Sequence, residues 1–182
     1  ETGILQKKKT TDNFINYEIE ADSVHDFAIF LSKVHHIYQD TMQLDQRIIQ
    51  IESAYVPNQD HTEVWKESID FIKSSLRFYS HYVGSYPYNQ FKLFQSENTI
   101  KDGMEYPQMA VVSSDYPSYG LDEIIGHEVG HQWFYGILAT DEREEPFLDE
   151  GINSFLENKY TEQKYGFYPF DSSWIIRLMG LH

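Results

Sequence analysis

Apolar residues recur along this chain with two different periods, and the switches between them mark out the elements. Trp65, Ile69, Ile72, Leu76, Tyr79 and Val83 follow one another at spacings of four and three, the signature of an amphipathic helix. Asp60 and Glu63 precede that stripe in the register of a capping box, and Gly84 stands where a helix stop is expected. Upstream, the first 56 residues read as strands: Phe14 to Glu20 alternates, Phe27 to Leu31 is a short apolar run, and Arg47 to Val56 is a further candidate. Phe91 to Gln95 and Gln108 to Ser113 predict two more strands, flanking a loop at Gly103-Met104-Glu105.

Helical periodicity returns after the Pro117-Ser118-Tyr119-Gly120 turn. Leu121, Ile124, Ile125, Glu128, Val129, Gln132 and Phe134 run without a proline towards Leu138. Another helix begins near Glu150 and runs to about Tyr165, Gly166-Phe167-Tyr168-Pro169 breaks it, and Ser173 to Met179 starts one more. A composition shift at Pro57-Asn58-Gln59 divides the strand-rich part from the rest, so the expected fold class is α+β. No internal repeat or low-complexity tract interrupts the pattern.

Composition narrows the function classes. The formal net charge of −15 argues against nucleic acid, whose phosphates would be repelled. It suits substrates with a free ammonium, although an acidic solvated surface is the simpler reading. Lys7-Lys8-Lys9 is the only basic run and reads as an exposed tail. The absence of cysteine rules out a disulfide framework and a thiolate zinc site, and leaves the compartment open. No stretch approaches the roughly 18 apolar residues of a membrane span, and no signal-peptide core is present. Nothing in the chain speaks to oligomeric state.

The chemistry concentrates in His127-Glu128-Val129-Gly130-His131. Histidines four apart on a helix can reach one metal ion, and Glu128 between them can reach a water on that ion. Glu150, nineteen positions after His131 and at the start of the next helix, supplies a third ligand. Two neutral imidazoles and one carboxylate make a zinc site with one open position, where bound water becomes acidic enough to act at neutral pH. Glu128 is the general base. Glu157 follows Glu150 by seven residues and shares its helix face, where a carboxylate accepting the far N–H of a zinc histidine fits. His131 is the expected partner, and Asp149 is given no ligand role.

This spacing resembles that of the M1 aminopeptidases, within the gluzincin metallopeptidases. A second motif agrees: Gly103-Met104-Glu105-Tyr106-Pro107 is similar to the family's G-x-M-E-N motif. His131-Gln132-Trp133-Phe134 and Asp149-Glu150-Gly151 are M1-like as well. The resemblance implies a thermolysin-like zinc-peptidase core over 58–182, truncated at its C-terminal end, preceded over 1–57 by the closing strands of a β-domain. It also implies one zinc ion per chain, peptide substrates with a free N-terminus, and an acidic residue at position 157. Glu105 would bind the substrate α-ammonium, with Met104 and Gly103 lining the substrate site. Two positions depart from the motif: Asp102 stands where a glycine is usual, and Tyr106 replaces the asparagine. The family's oxyanion-stabilising tyrosine is expected beyond residue 182. Rival readings are a gluzincin endopeptidase and a peptidase-fold scaffold without chemistry.

Overall fold

The computed structural model of the chain describes residues 1–96, 102–113 and 116–166. The helix expected over 173–179 lies outside the described residues. Mixed helix and strand are observed, as an α+β fold requires. Two strands, β1 (Ile4–Thr10) and β2 (Ile15–Glu20), form an antiparallel hairpin apart from the main sheet. Lys7, Lys8 and Lys9 are therefore strand residues and not a tail, although exposed; Lys8 pairs with Tyr17. The run Phe27 to Leu31 is not a strand. It is held irregularly, with Thr2 N–H donating to Ala28 O at 2.9 Å, so its backbone finds a partner without a ladder.

The main sheet contains β3 (His36–Leu44), β4 (Arg47–Tyr55), β5 (Gln90–Ser96), β6 (Gly103–Tyr106) and β7 (Met109–Ser113), in the order β3-β4-β5-β7-β6. β4, β5 and β7 run parallel, and β3 and β6 are antiparallel edges. Position 57 thus falls between two hydrogen-bonded strands of one sheet. Residues 49, 51, 53 and 55 of β4 are buried in strict alternation, so one face meets the core. β5 is buried on both faces, because the chain start covers the other side: Lys92 Nζ donates to Glu1 O at 3.2 Å and to Gly3 O at 3.3 Å.

The helix after residue 60 differs from its expected form. A short α1 (Thr62–Trp65) and α2 (Ser68–Tyr82) replace one continuous helix, and the capping box does not form. Buried Ser68 donates its hydroxyl to Trp65 O at 2.6 Å, the kind of local bond that competes with helix continuation. α3 (Ser118–Phe134) packs between α2 and α4 (Ile152–Tyr165) and is buried on most sides. Gly130 permits that approach, since a Cβ there would collide with Asn153 and Tyr79. Gly166 closes α4 in the left-handed region at φ 74°.

Candidate metal centre

α3 delivers His127, Glu128 and His131, and the helix is placed by its apolar flank: Leu121, Ile125 and Val129 are fully buried. A π-helical turn, Phe147–Gly151, then brings Asp149 and Glu150 against the same histidine pair. Such turns concentrate at functional sites. His127 Nδ1 lies 2.8 Å from Glu157 Oε2, and His131 Nδ1 lies 2.7 Å from Asp149 Oδ1. Each Nδ1 therefore carries the proton, and each Nε2 carries a lone pair. The two Nε2 atoms face one another at 3.0 Å, with Glu150 Oε2 at 3.3 Å from the first and 3.7 Å from the second.

With both imidazoles neutral, three electron-pair donors converge there with no proton donor among them. Only a proton or a cation relieves their repulsion, and the set of two imidazoles and one carboxylate fits zinc with an open position. The metal-free electrostatics agree. Burial opposes charge on His127, but its bonds to Glu150 and Glu157 outweigh it and raise the pKa well above the usual value. For His131, burial is outweighed in the same way by the bond to Asp149. The hydrogen bond from His127 holds Glu150 below its usual range.

The partner expected for Glu157 is corrected: it is His127, not His131. The reason is helix direction. α4 runs antiparallel to α3, since Asn153 Nδ2 donates to His127 O at 2.9 Å while Tyr160 OH donates to Asp122 Oδ1 at 2.6 Å. Moving along α4 thus leads back along α3, away from His131. Asp149, given no role from its position in the sequence, takes the place beside His131. A helical wheel does not anticipate it because the turn there is π and not α.

Glu128 is only 3% exposed, and its Oε2 has no hydrogen-bond partner among the described residues. Burial pushes its pKa up to about 8, with Glu105 and Glu150 adding to the effect. Gly103 lies directly on this carboxyl, so a Cβ at 103 would overlap Glu128. Gly103, Met104 and Glu105, expected in a loop, form β6, because their backbones pair with β7 from Gly103↔Val112 to Tyr106↔Met109. Glu105 is buried, and its carboxylate, His131 and Asp149 offer atoms all within 4.8 Å of one another. Met104 is exposed on the cleft rim. The departure at Asp102 has a local account: its φ of 64° is the left-handed conformation a glycine would adopt, and Tyr116 OH donates to Asp102 Oδ1 at 2.6 Å.

These groups line an open cleft of about 580 Å³, to which Glu142, Arg143 and Pro146 also contribute. Asn153 and Glu142 are not singled out by the sequence, Gln132 enters there only in the helical stripe and the M1-like run, and Asp149 is given no ligand role. Their contacts depend on how α3, α4 and the sheet meet, which no local period encodes.

Fold and site together define an α+β core built around a group of two histidines and one carboxylate. The fold is that of the M1 zinc metallopeptidases. An M1 zinc metallopeptidase from Deinococcus radiodurans aligns over 98% of this chain with a TM-score of 0.71 and 15% identity. A mutant of a two-domain M1 zinc metallopeptidase, bound to L-arginine, aligns over the same 98% with a TM-score of 0.71 and 16% identity. A Deinococcus radiodurans mutant bound to a Tyr-Ser-Ala substrate aligns with a TM-score of 0.66 and 14% identity. The chain spans 41% of the length of these proteins. No protein-family model and no curated protein matches it. No helix among the described residues is long and apolar enough to cross a membrane.

Proposed function

We propose that the whole protein is a zinc-dependent aminopeptidase that removes residues from the free N-terminus of peptides. The observation that carries this reading is the convergence of His127 Nε2, His131 Nε2 and Glu150 Oε2 beside the unpartnered oxygen of Glu128. Zinc bound there would supply Lewis acidity, polarising the scissile carbonyl and acidifying water. Glu157 and Asp149 fix the histidine tautomers from behind, leaving both Nε2 atoms free. Glu128 takes a proton from the attacking water as its oxygen bonds to the carbonyl carbon. The same carboxyl returns the proton to the leaving nitrogen as the C–N bond breaks. Glu128 is buried, and in the metal-free protein that burial raises its pKa to about 8.

Glu105 pairs with the substrate α-ammonium, which sets the first peptide bond over the metal. The cleft favours a cation, because Asp102, Glu105, Glu142, Asp149 and Glu150 line it, and Arg143 is the one arginine or lysine in its lining. A peptide substrate and a single amino acid bound to mutants of the same fold are in keeping with this reading.

The test is the substrate amine. Wild-type whole protein is expected to cleave free peptides and to leave N-acetylated ones, since acetylation leaves the buried Glu105 charge unpaired. Glu105→Gln should lower kcat/KM for free peptides at least about tenfold and leave residual cleavage of blocked ones unchanged, because it removes only the ion pair. Equal cleavage of both peptides by the wild type would overturn the aminopeptidase assignment in favour of an endopeptidase.

A further inference from the structure

The hairpin that carries Glu105 closes on a turn its own residues do not favour. β6 and β7 are joined by Pro107 and Gln108 alone, with Tyr106 paired to Met109. Two-residue hairpins prefer turns whose first loop residue has positive φ, because these match the twist of the strands. Pro107 cannot comply, since its ring fixes φ near about −65°. Gln108 instead takes the left-handed conformation, at φ 67°. Proline followed by a left-handed residue carries the φ signs of a type II turn, whose second loop position favours glycine. Something outside the hairpin has to hold it.

Gln132 does so. Gln108 N–H donates to Gln132 Oε1 at 2.7 Å, and Gln132 Nε2 donates to Tyr106 O at 2.9 Å. The side chain is fully buried. The primary amide presents an acceptor and a donor side by side, which neither an ionised glutamate nor a hydrocarbon offers to the two backbone groups. Gln108 O in turn accepts from Lys92 N at 3.0 Å, which ties the turn to β5. Gln132 follows His131 on α3. One end of the clamp is thus rigidly attached to the metal centre, and the other ends one residue from Glu105.

We propose that Gln132 is the positioning residue that sets the separation between Glu105 and the metal centre, and so confines cleavage to the first peptide bond. This inference rests on the aminopeptidase reading. The α-ammonium and the first carbonyl carbon of a peptide are separated by a single Cα, so their distance is fixed by covalent geometry. A clamp that holds Glu105 at the matching distance accepts a free N-terminus, and a displacement of about 1 Å at such a site can cost about 10²-fold.

The experiment uses the whole protein with Gln132→Met, which keeps length and removes both hydrogen bonds, and Gln132→Asn, which keeps the amide but is one methylene too short to hold both backbone groups. Matched free and N-acetylated peptides are compared, with zinc content measured alongside. The expected result for both variants is a KM for free peptide raised about tenfold, kcat within about threefold, zinc retained, and cleavage of the acetylated peptide unchanged. The free-to-blocked preference then falls about tenfold. A role confined to holding the fold would lower both substrates together, and an unchanged preference overturns the inference. If Gln132→Met does not fold, the preference of Gln132→Asn decides alone. A wild type with no preference for free amines overturns the aminopeptidase reading itself, which is distinct from a wild-type preference that survives in the variants.

Discussion

The two walls of the cleft are built on different principles. The helical wall, from α3 through the π turn to α4, carries His127, Glu128, His131, Asp149, Glu150 and Glu157. There, spacing along the chain translates directly into spacing in space, as the facing Nε2 atoms of residues 127 and 131 illustrate. The strand wall carries Gly103, Met104 and Glu105 on an edge strand of four residues. Its position comes from register with β7, from the buried amide of Gln132, and from the contact of Gly103 with Glu128. The His127–His131 pair of the helical wall is a local product of sequence, whereas the strand wall is set by tertiary ties. Each should therefore fail in its own way when broken: metal and turnover for the first, substrate choice for the second.

The sharpest break of the helical wall is Glu128→Gln. The amide cannot take the proton of water, yet it keeps the size of the group and leaves His127, His131 and Glu150 untouched. In the whole protein kcat should fall at least about 10²-fold with zinc still at one equivalent. His131→Ala is the control that loses the metal as well, checked by elemental analysis. Near-normal turnover of the zinc-loaded Glu128→Gln protein would remove Glu128 from the chemistry and bring back the scaffold reading.

The same division decides what was legible. Periodicity found α2, α3, α4, β2, β4, β5 and β7: α2 and β4 bury one stripe or face, α3 and β5 are apolar and buried on most sides, and β2 alternates in sequence although it is almost wholly exposed. It missed β1 and β3, whose residues are almost all exposed and so carry no apolar alternation. The split at Ser68 and the shape of Phe147–Gly151 were invisible because single hydrogen bonds and one π turn decided them. In the site, the donor trio followed from spacing and from the open position zinc needs. Which carboxylate serves which histidine did not follow, because the antiparallel docking of α3 and α4 is a tertiary fact.

A smaller effect sharpens the comparison within the helical wall. Asp149 and Glu157 make equivalent bonds, yet the Asp149 side chain is 3% exposed and that of Glu157 18%. Low dielectric strengthens the more buried bond. Replacing an outer carboxylate of this kind typically costs about 10- to 100-fold in metal affinity, so Asp149→Asn should lie near the upper figure and Glu157→Gln near the lower. Competition with a chromophoric chelator measures both. Equal losses would mean that burial does not grade these contacts, and a larger loss in Glu157→Gln would reverse the ranking of the two histidines.

The mildest effect is on pH. In the metal-free protein His127 and His131 are raised above 6.5 in the folded state, their hydrogen bonds to carboxylates outweighing burial. A raised histidine contributes stability that is complete below its unfolded value and is lost as pH climbs through the folded value. Glu128 is an acid raised by burial from 4.5 to about 8, so the folded state disfavours its ionisation. Its cost begins above the unfolded value and grows until about 8. All three groups therefore weaken the metal-free fold as pH rises through neutrality. Zinc acts in the opposite sense, because it takes the lone pairs that protons otherwise hold, and its uptake releases those protons. At fixed total zinc, the rise in Tm on adding metal should be larger at about pH 8 than at about pH 6. Differential scanning fluorimetry on Glu128→Gln separates the contributions: the variant should keep the histidine part of the trend and lose the rest. A zinc-induced shift that shrinks as pH rises would mean the two histidines are not the groups giving up protons, and the helical wall would lose its claim to the metal.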